Sequence, residues 1–213
     1  MRSLAARQPF RELLKTHRGH ALVGCALLAG TGCFNGLFFS HLPAYLSGVL
    51  QYDPRQAVLS QTVGVIASSV GILVTGWLGD RIPPRYLLRA GVGLLLVFAF
   101  PFYAALESRA INLTLICTLA GLAAGLTNGS FAVLLTDLFP TRVRFTGVAL
   151  VFNVSFTLFS GTAPLVATSL IGETGRATSP AYMMMFSAAF ALIGSLWVDR
   201  LGGNVVARRL PVS

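Results

Sequence analysis

The sequence predicts an all-α polytopic membrane protein with six spanning helices, and three observations carry that prediction. Of its 213 residues, 54% are hydrophobic and only 11% are charged, whereas a soluble domain carries about 25% charged residues. The apolar residues come in long runs, and a spanning helix needs ~20 of them in a row. The charged residues fall between these runs or at their ends. A transmembrane β-barrel is excluded, because its strands would alternate and stay near ~10 residues. Soluble-enzyme, disulfide-framework and disordered readings fall on the same composition.

The first run, Ala21–Tyr45, follows a basic segment and superficially resembles a secretory signal. A signal core is ~7–15 residues and ends at a small-residue cleavage site. This run continues well past that length, so it is expected to remain as the first span. Ahead of it, Pro9–His20 sets Phe10, Leu13 and Leu14 among Arg11, Lys15 and Arg18. That pattern fits an amphipathic helix on the membrane surface or a solvated linker. The remaining spans are expected at Val58–Gly79, Tyr86–Leu106, Ile111–Leu138, Thr146–Ile171 and Tyr182–Val198, each too apolar for an ordinary core helix. The chain therefore divides into a basic segment 1–20, a six-helix domain 21–198 and a tail 199–213.

Six spans put both termini on one side, and the basic residues say which. Of the 16 Lys and Arg residues, only Arg55, Arg109 and Arg176 fall on the other side. Arg2, Arg7, Arg11, Lys15, Arg18, Arg81, Arg85, Arg89, Arg142, Arg144, Arg200, Arg208 and Arg209 share the side of the termini. The positive-inside rule makes that side cytoplasmic. The net charge of +9 is thus an orientation signal. Nucleic-acid binding is not expected, since no aromatic-interleaved basic groove accompanies it.

All seven acidic residues (Glu12, Asp53, Asp80, Glu107, Asp137, Glu173 and Asp199) lie in loops or at span ends. Arg89, near the start of the third span, is placed to snorkel to the interface. Cys25, Cys33 and Cys117 have no CxxC spacing or flanking His, so neither disulfide nor metal site is expected. No acid, base, nucleophile or ligand set appears at any depth; an enzyme, a metal and a cofactor are not expected. His41, at the outer end of the first span, reads as a cap or loop residue rather than a proton relay.

The uncharged polar residues keep helical phase. Asn153, Thr157, Ser160 and Pro164 share one face of the fifth span at ~100° per residue. Gln61, Gly64, Ser68 and Thr75 form a stripe on the second, Gly121, Gly125 and Asn128 on the fourth, and Thr31 and Asn35 on the first. The third has no mid-membrane polar side chain and the sixth only Ser187 and Ser195, so these two look lipid-facing. Small and weakly polar residues also hold membrane helices together, and Gly121-x-x-x-Gly125-x-x-x-Gly129 is first a close-packing face. Asn35, Gln61, Asn128 and Asn153 demand more, because an amide left in hydrocarbon is costly. A water-filled cavity and bonding between helices both satisfy that demand.

Two loops on the basic side carry a recognisable pattern. Gly76-Trp77-Leu78-Gly79-Asp80-Arg81-Ile82-Pro83-Pro84-Arg85 resembles the major facilitator superfamily signature G-x-L-A/G-D-R-x-G-R-R/K, with Pro83 and Pro84 where Gly and Arg are expected. Asp137-Leu138-Phe139-Pro140-Thr141-Arg142-Val143-Arg144-Phe145-Thr146-Gly147 resembles the ELFPTRxRxxG element of its sugar and metabolite branches. Asn153 to Pro164 is similar to the eleventh helix of bacterial metabolite–proton symporters. The resemblance implies one half of a twelve-helix fold, the six spans standing for helices seven to twelve. The first, second, fourth and fifth would then line a substrate cavity.

On that resemblance, Asn35, Gln61, Asn128, Asn153, Thr157 and Ser160 are the expected substrate-facing residues. Asp80, Arg81, Arg85, Asp137, Arg142 and Arg144 are the expected gating-loop network, where carboxylates meet arginines or a helix N-terminus; the other reading is that these charges only set topology. The implied function is proton symport of a small organic acid or osmolyte by alternating access, in the bacterial inner membrane. The implied partners are the lipid bilayer, a small-molecule substrate, a proton, and a second six-helix half or another copy. The alternative is a truncated, non-transporting membrane protein or an assembly subunit.

Overall fold

A computed structural model describes residue 13 and residues 15–201, the last three by their helix alone. Of the surface segment expected over Pro9–His20, residues 9–12 and 14 fall outside the described residues, as do residues 202–213 of the tail, and with them Arg2, Arg7, Arg11, Arg208 and Arg209. Among the described residues there are helices and no strands. Six helices are long and apolar enough to cross a membrane: α1 (Arg18–Val49), α2 (Pro54–Gly79), α3 (Pro84–Ser108), α4 (Leu113–Leu138), α5 (Arg144–Thr174) and α6 (Pro180–Leu201).

Several helices run past their apolar stretches because local capping chemistry sets the ends. The Asp53 side chain accepts from the Gln56 backbone N–H at 2.9 Å, with Pro54 as the first helical residue of α2. Asn112 does the same for α4, accepting from Thr114 and Leu115. Pro84 opens α3. Each choice satisfies or removes a donor that a helix start would otherwise orphan. At the far end of α5, Gly175 takes a left-handed φ of 65°, where a glycine pays no steric penalty.

α1 is the hub, with 78% of its spanning window buried, while α5 is the most open at 17%. α6 packs on α1 and α3, α3 on α4, and α2 almost wholly on α4. The α2–α4 contact is made by glycines. A side-chain carbon added at Gly121 would overlap the carbonyl oxygen of Gly64, one at Gly125 would lie 2.5 Å from Gly71, and one at Gly129 2.7 Å from Thr75. Such backbone-to-backbone approach is how membrane helices gain dispersion contacts without a hydrophobic driving force. Gly64, Ser68 and Thr75 are buried in this seam. Three of the four stripe residues expected on the open face of α2 therefore belong to packing. The outward surface of α2 is instead apolar, with Val63, Ile66, Val70, Leu73 and Trp77 exposed.

α3 and α6 both pack and face outward. α3 buries Leu88, Val92, Leu95, Ala99 and Tyr103 on one stripe and exposes Val97, Phe98 and Phe100. Arg89 does not simply reach for the interface. Its guanidinium donates to the Ser195 carbonyl at 2.7 Å, tying α3 to α6.

α1 and α5 both leave regular α geometry, with a π-helical stretch at Gly36–His41 in α1 and at Phe156–Gly161 in α5. Each lies just before a proline, Pro43 and Pro164. The two helices cross there: a carbon added at Gly36 would overlap the Ser160 carbonyl oxygen, and one at Gly32 would meet Phe159 at 3.2 Å. The wider π turn also alters the phase of the α5 polar stripe. Asn153 and Thr157 are exposed, whereas Ser160 and Pro164 are half-buried toward α1.

Candidate functional site

The amides expected to need partners find them between helices. The Asn35 side chain of α1 donates to Asn128 Oδ1 of α4 at 3.1 Å, and Asn128 donates back to Asn35 Oδ1 at 3.3 Å. Asn128 also donates to the Ala124 carbonyl, one turn back, at 3.1 Å. Both side chains are half-buried, so the pair sits at the edge of the core rather than inside it. Asn153 of α5 is exposed, and its amide donates to the Ala149 carbonyl at 2.8 Å. The fold thus brings Asn35 and Asn128 together, while Asn153 bonds within its own helix.

Gln61 has a different task. Its amide nitrogen donates to the carbonyls of Phe38 at 2.8 Å and Phe39 at 3.0 Å. Pro43 has no N–H, so a helix through it cannot close the bond to Phe39 at α spacing or to Phe38 at π spacing. From the neighbouring helix Gln61 donates to both carbonyls, standing in for the one N–H that Pro43 lacks. An unsatisfied carbonyl in hydrocarbon costs several kcal/mol, so this strut is what allows α1 to be irregular at mid-membrane. Gly36 and Pro43 were not among the sequence candidates. Their signal was present as Gly32 and Gly36 one turn apart, followed by a proline inside an apolar run.

An aromatic wall flanks the amides, and it too was not singled out from sequence. Phe152 and Phe156 stack at 4.3 Å between ring centroids, and Phe131 of α4 lies 6.2 Å from Phe152 and 6.4 Å from Phe156. Phe152 is 38% exposed. Phe131 is three residues from Asn128 and Phe156 three from Asn153, which puts ring and amide side by side on each helix.

At the basic end of the bundle, the loop after α4 is a compact clip. Phe139 and Val143 are buried, the Arg144 guanidinium donates to the Phe139 carbonyl at 3.2 Å, and Gly147 leaves room for the Phe139 ring. Arg142 and Phe145 are left exposed, Phe145 at 88%. After α2, Asp80 is exposed, and Arg81 stacks over the Trp77 ring at 4.0 Å. Arg85 lies over the Tyr86 ring at 4.9 Å. Asp137 is half-buried at the end of α4. At the opposite end, Arg109 covers the Tyr52 ring at 4.5 Å and donates to the carbonyls of Leu50 and Gln51, while the Tyr52 hydroxyl donates to Leu106. Partial burial pushes the Tyr52 phenol above its ordinary pKa, with Arg109 pulling the other way.

Residues 2–164 match the sequence profile of the Major Facilitator Superfamily. The chain is 27% identical to an ectoine/proline transporter of Corynebacterium glutamicum, over 91% of this chain and 38% of that one. It is 29% identical to a citrate-proton symporter of Klebsiella pneumoniae, over 92% of this chain and 45% of that one. A proline/betaine transporter of Escherichia coli is 30% identical over 86% of this chain and 37% of its own length. The chain spans less than half the length of these curated relatives.

Proposed function

The chain belongs to the Major Facilitator Superfamily, and we propose that it is one six-helix half of a proton-coupled transporter for a small organic acid or osmolyte. It is a multi-pass membrane protein. The observation that carries the reading is the reciprocal Asn35–Asn128 amide pair at the half-buried edge of the core, with Asn153 exposed on α5 and both α1 and α5 irregular near their middles. Irregular helices and uncharged polar groups at membrane depth are tolerated where they line a cavity, and in transporters they mark the substrate site. Gln61 holds the irregular part of α1 in shape, while Thr157 extends the polar side along α5 and Ser160 sits where α5 crosses α1.

A second six-helix half closes the cavity from the other side, and the two rock against each other around it. Both termini are cytoplasmic, in the bacterial inner membrane. The loops bearing Asp80, Arg81, Arg85, Asp137, Arg142 and Arg144 then face the cytoplasm and meet the second half when the cavity opens outward. The substrates for which the relatives are named divide into a polyanion, citrate, and zwitterions, proline, ectoine and betaine. The proton-binding group belongs to the other half, because no carboxylate of this chain lies near the middle of a span.

The test is uptake of a panel of these solutes into proteoliposomes under a pH gradient, with this chain alone and with a six-helix partner half. The expected result is gradient-driven accumulation only when both are present. Accumulation by this chain alone would overturn the half-transporter reading, and none in either preparation would overturn transport.

A further inference from the structure

We propose that His41 is a proton-sensitive bolt between α1 and α5: while its ring is neutral the halves of these helices farther from the termini stay packed, and a second proton on the ring makes them part. The inference rests on the packing of this chain alone and is independent of the transport reading.

The sequence reads His41 as a cap or loop residue, and the structure buries it inside α1. It closes the π-helical stretch Gly36–His41, two residues before Pro43, and is 8% exposed. Its Nε2 lies 3.4 Å from Thr168 Oγ1 of α5. The single hydroxyl hydrogen of Thr168 is already given to the Pro164 carbonyl at 2.8 Å, so toward the ring the threonine oxygen can only accept. The neutral ring therefore carries its proton on Nε2, and Nδ1 is a bare lone pair. That Nδ1 is buried and has no hydrogen-bond partner among the described residues.

A second proton makes both ring nitrogens donors. The new N–H, on Nδ1, meets no acceptor in the packed arrangement, and a buried charge without a partner is severely unfavourable. The charged and titratable groups of the surrounding elements do not supply one. On α1, Tyr45 lies 5.8 Å away ring to ring and gives its hydroxyl hydrogen to the Ala177 carbonyl. On α3, Tyr103 stands against Tyr45 and Glu107 is exposed near the helix end. Asp53 caps α2 and Arg55 in its first turn is exposed, as are Glu173 at the end of α5 and Tyr182 at the start of α6. In the connecting turns, Arg109 covers Tyr52 and Arg176 is exposed. Among the described residues no carboxylate pairs with the ring.

α5 is the element that can yield. It is the most open of the six helices, and its half Ala163–Thr174 buries only Ala163 and Ala167. The π-helical stretch Phe156–Gly161 and Pro164 give it a place to bend where regular helix bonding is already interrupted. Movement away from α1 lets water solvate the charged ring. The packed arrangement holds no proton on Nδ1 and the opened one can hold it, so acid favours the opened arrangement. The α1–α5 contact is fully kept above the ordinary imidazole range and lost as the pH falls through it.

The experiment is double electron–electron resonance between spin labels on Gly48→Cys of α1 and Gly172→Cys of α5, in the full chain in lipid nanodiscs. Both positions are exposed, with nothing within 4 Å of an added carbon. Cys25, Cys33 and Cys117 are replaced by alanine, and His17 and His20 by glutamine, which leaves His41 as the one imidazole. Between about pH 8 and about pH 5 the ratio of long to short distances is expected to rise roughly tenfold or more. The rise should vanish in His41→Gln, whose side chain is neutral throughout. A distance distribution that ignores pH with His41 present overturns the proposal, and so does the same rise in His41→Gln. Nitrogen-15 NMR of the chain with His41 in place is the second reading and needs no variant at position 41. At about pH 8 the ring should be protonated on Nε2 and bare at Nδ1; a ring protonated on Nδ1 overturns the proposal. Neither readout involves uptake, so failure of the transport reading leaves this one intact.

Discussion

Replacing Gly121 with leucine should abolish the folded bundle. The seam between α2 and α4 brings the Gly64 and Gly121 backbones together so closely that a carbon at position 121 would coincide with a carbonyl oxygen. A carbon added on the facing side, at Gly64, would meet the Cys117 carbonyl oxygen at 2.7 Å. Ordinary carbon contacts lie at ~3.5–4.0 Å, so the two helices must separate along their whole shared length. The obstacle is backbone, which cannot swing aside as a side chain can. Overpacking of a well-packed core costs about 1–3 kcal/mol even when side chains can move. Here the loss extends to every glycine contact of the seam, a large part of a total stability of about 5–15 kcal/mol. Gly93→Leu is the control, because nothing lies within 4 Å of a carbon added there. Size-exclusion profiles and thermal stability in detergent should show aggregation for Gly121→Leu and a near-native protein for Gly93→Leu. Equal behaviour would refute the seam.

The second large effect is expected at Gln61. Gln61→Leu keeps the side chain's bulk and removes the donor shared by the Phe38 and Phe39 carbonyls. Each carbonyl left without a partner costs ~1–3 kcal/mol, so a loss of about 2–5 kcal/mol is expected in thermal or denaturant unfolding. The cause can be isolated, because Pro43→Ala returns the N–H whose absence created the need. In the Gln61→Leu background, Pro43→Ala should recover at least half of the loss. Additive losses in the double variant would mean that Gln61 supports something other than the proline gap.

The six helices and their membrane character were legible because hydrophobicity is a local, additive property of the chain. Which face of a helix meets which neighbour was not. Gly64, Ser68 and Thr75 look the same from sequence whether they line water or a neighbouring helix, and only the arrival of Gly121, Gly125 and Gly129 on the other side decides it. The Asn35–Asn128 bond joins residues 93 positions apart, so its need could be read locally but its partner could not. The phase of the α5 stripe assumed a regular helix, and the π turn at Phe156–Gly161 rotated Ser160 toward α1. In the loop after α4, the motif marked Arg144 only as part of a charge network and gave Gly147 no role. The fold gives them a mechanical role, one holding the Phe139 carbonyl and the other making room for its ring.

The central claim is that the side of the bundle bearing Asn153 and Thr157 lines a water-filled substrate path, while Leu158, 56% exposed and ~100° round the helix from Thr157, faces lipid. Single cysteines at these three positions, in a background lacking Cys25, Cys33 and Cys117, can be challenged with a hydrophilic maleimide in membranes containing this chain and a six-helix partner half. The account predicts rapid labelling at 153 and 157, slowed by transported solute, and no labelling at 158. Protection of 153 and 157 without solute, or labelling of all three at one rate, would contradict it.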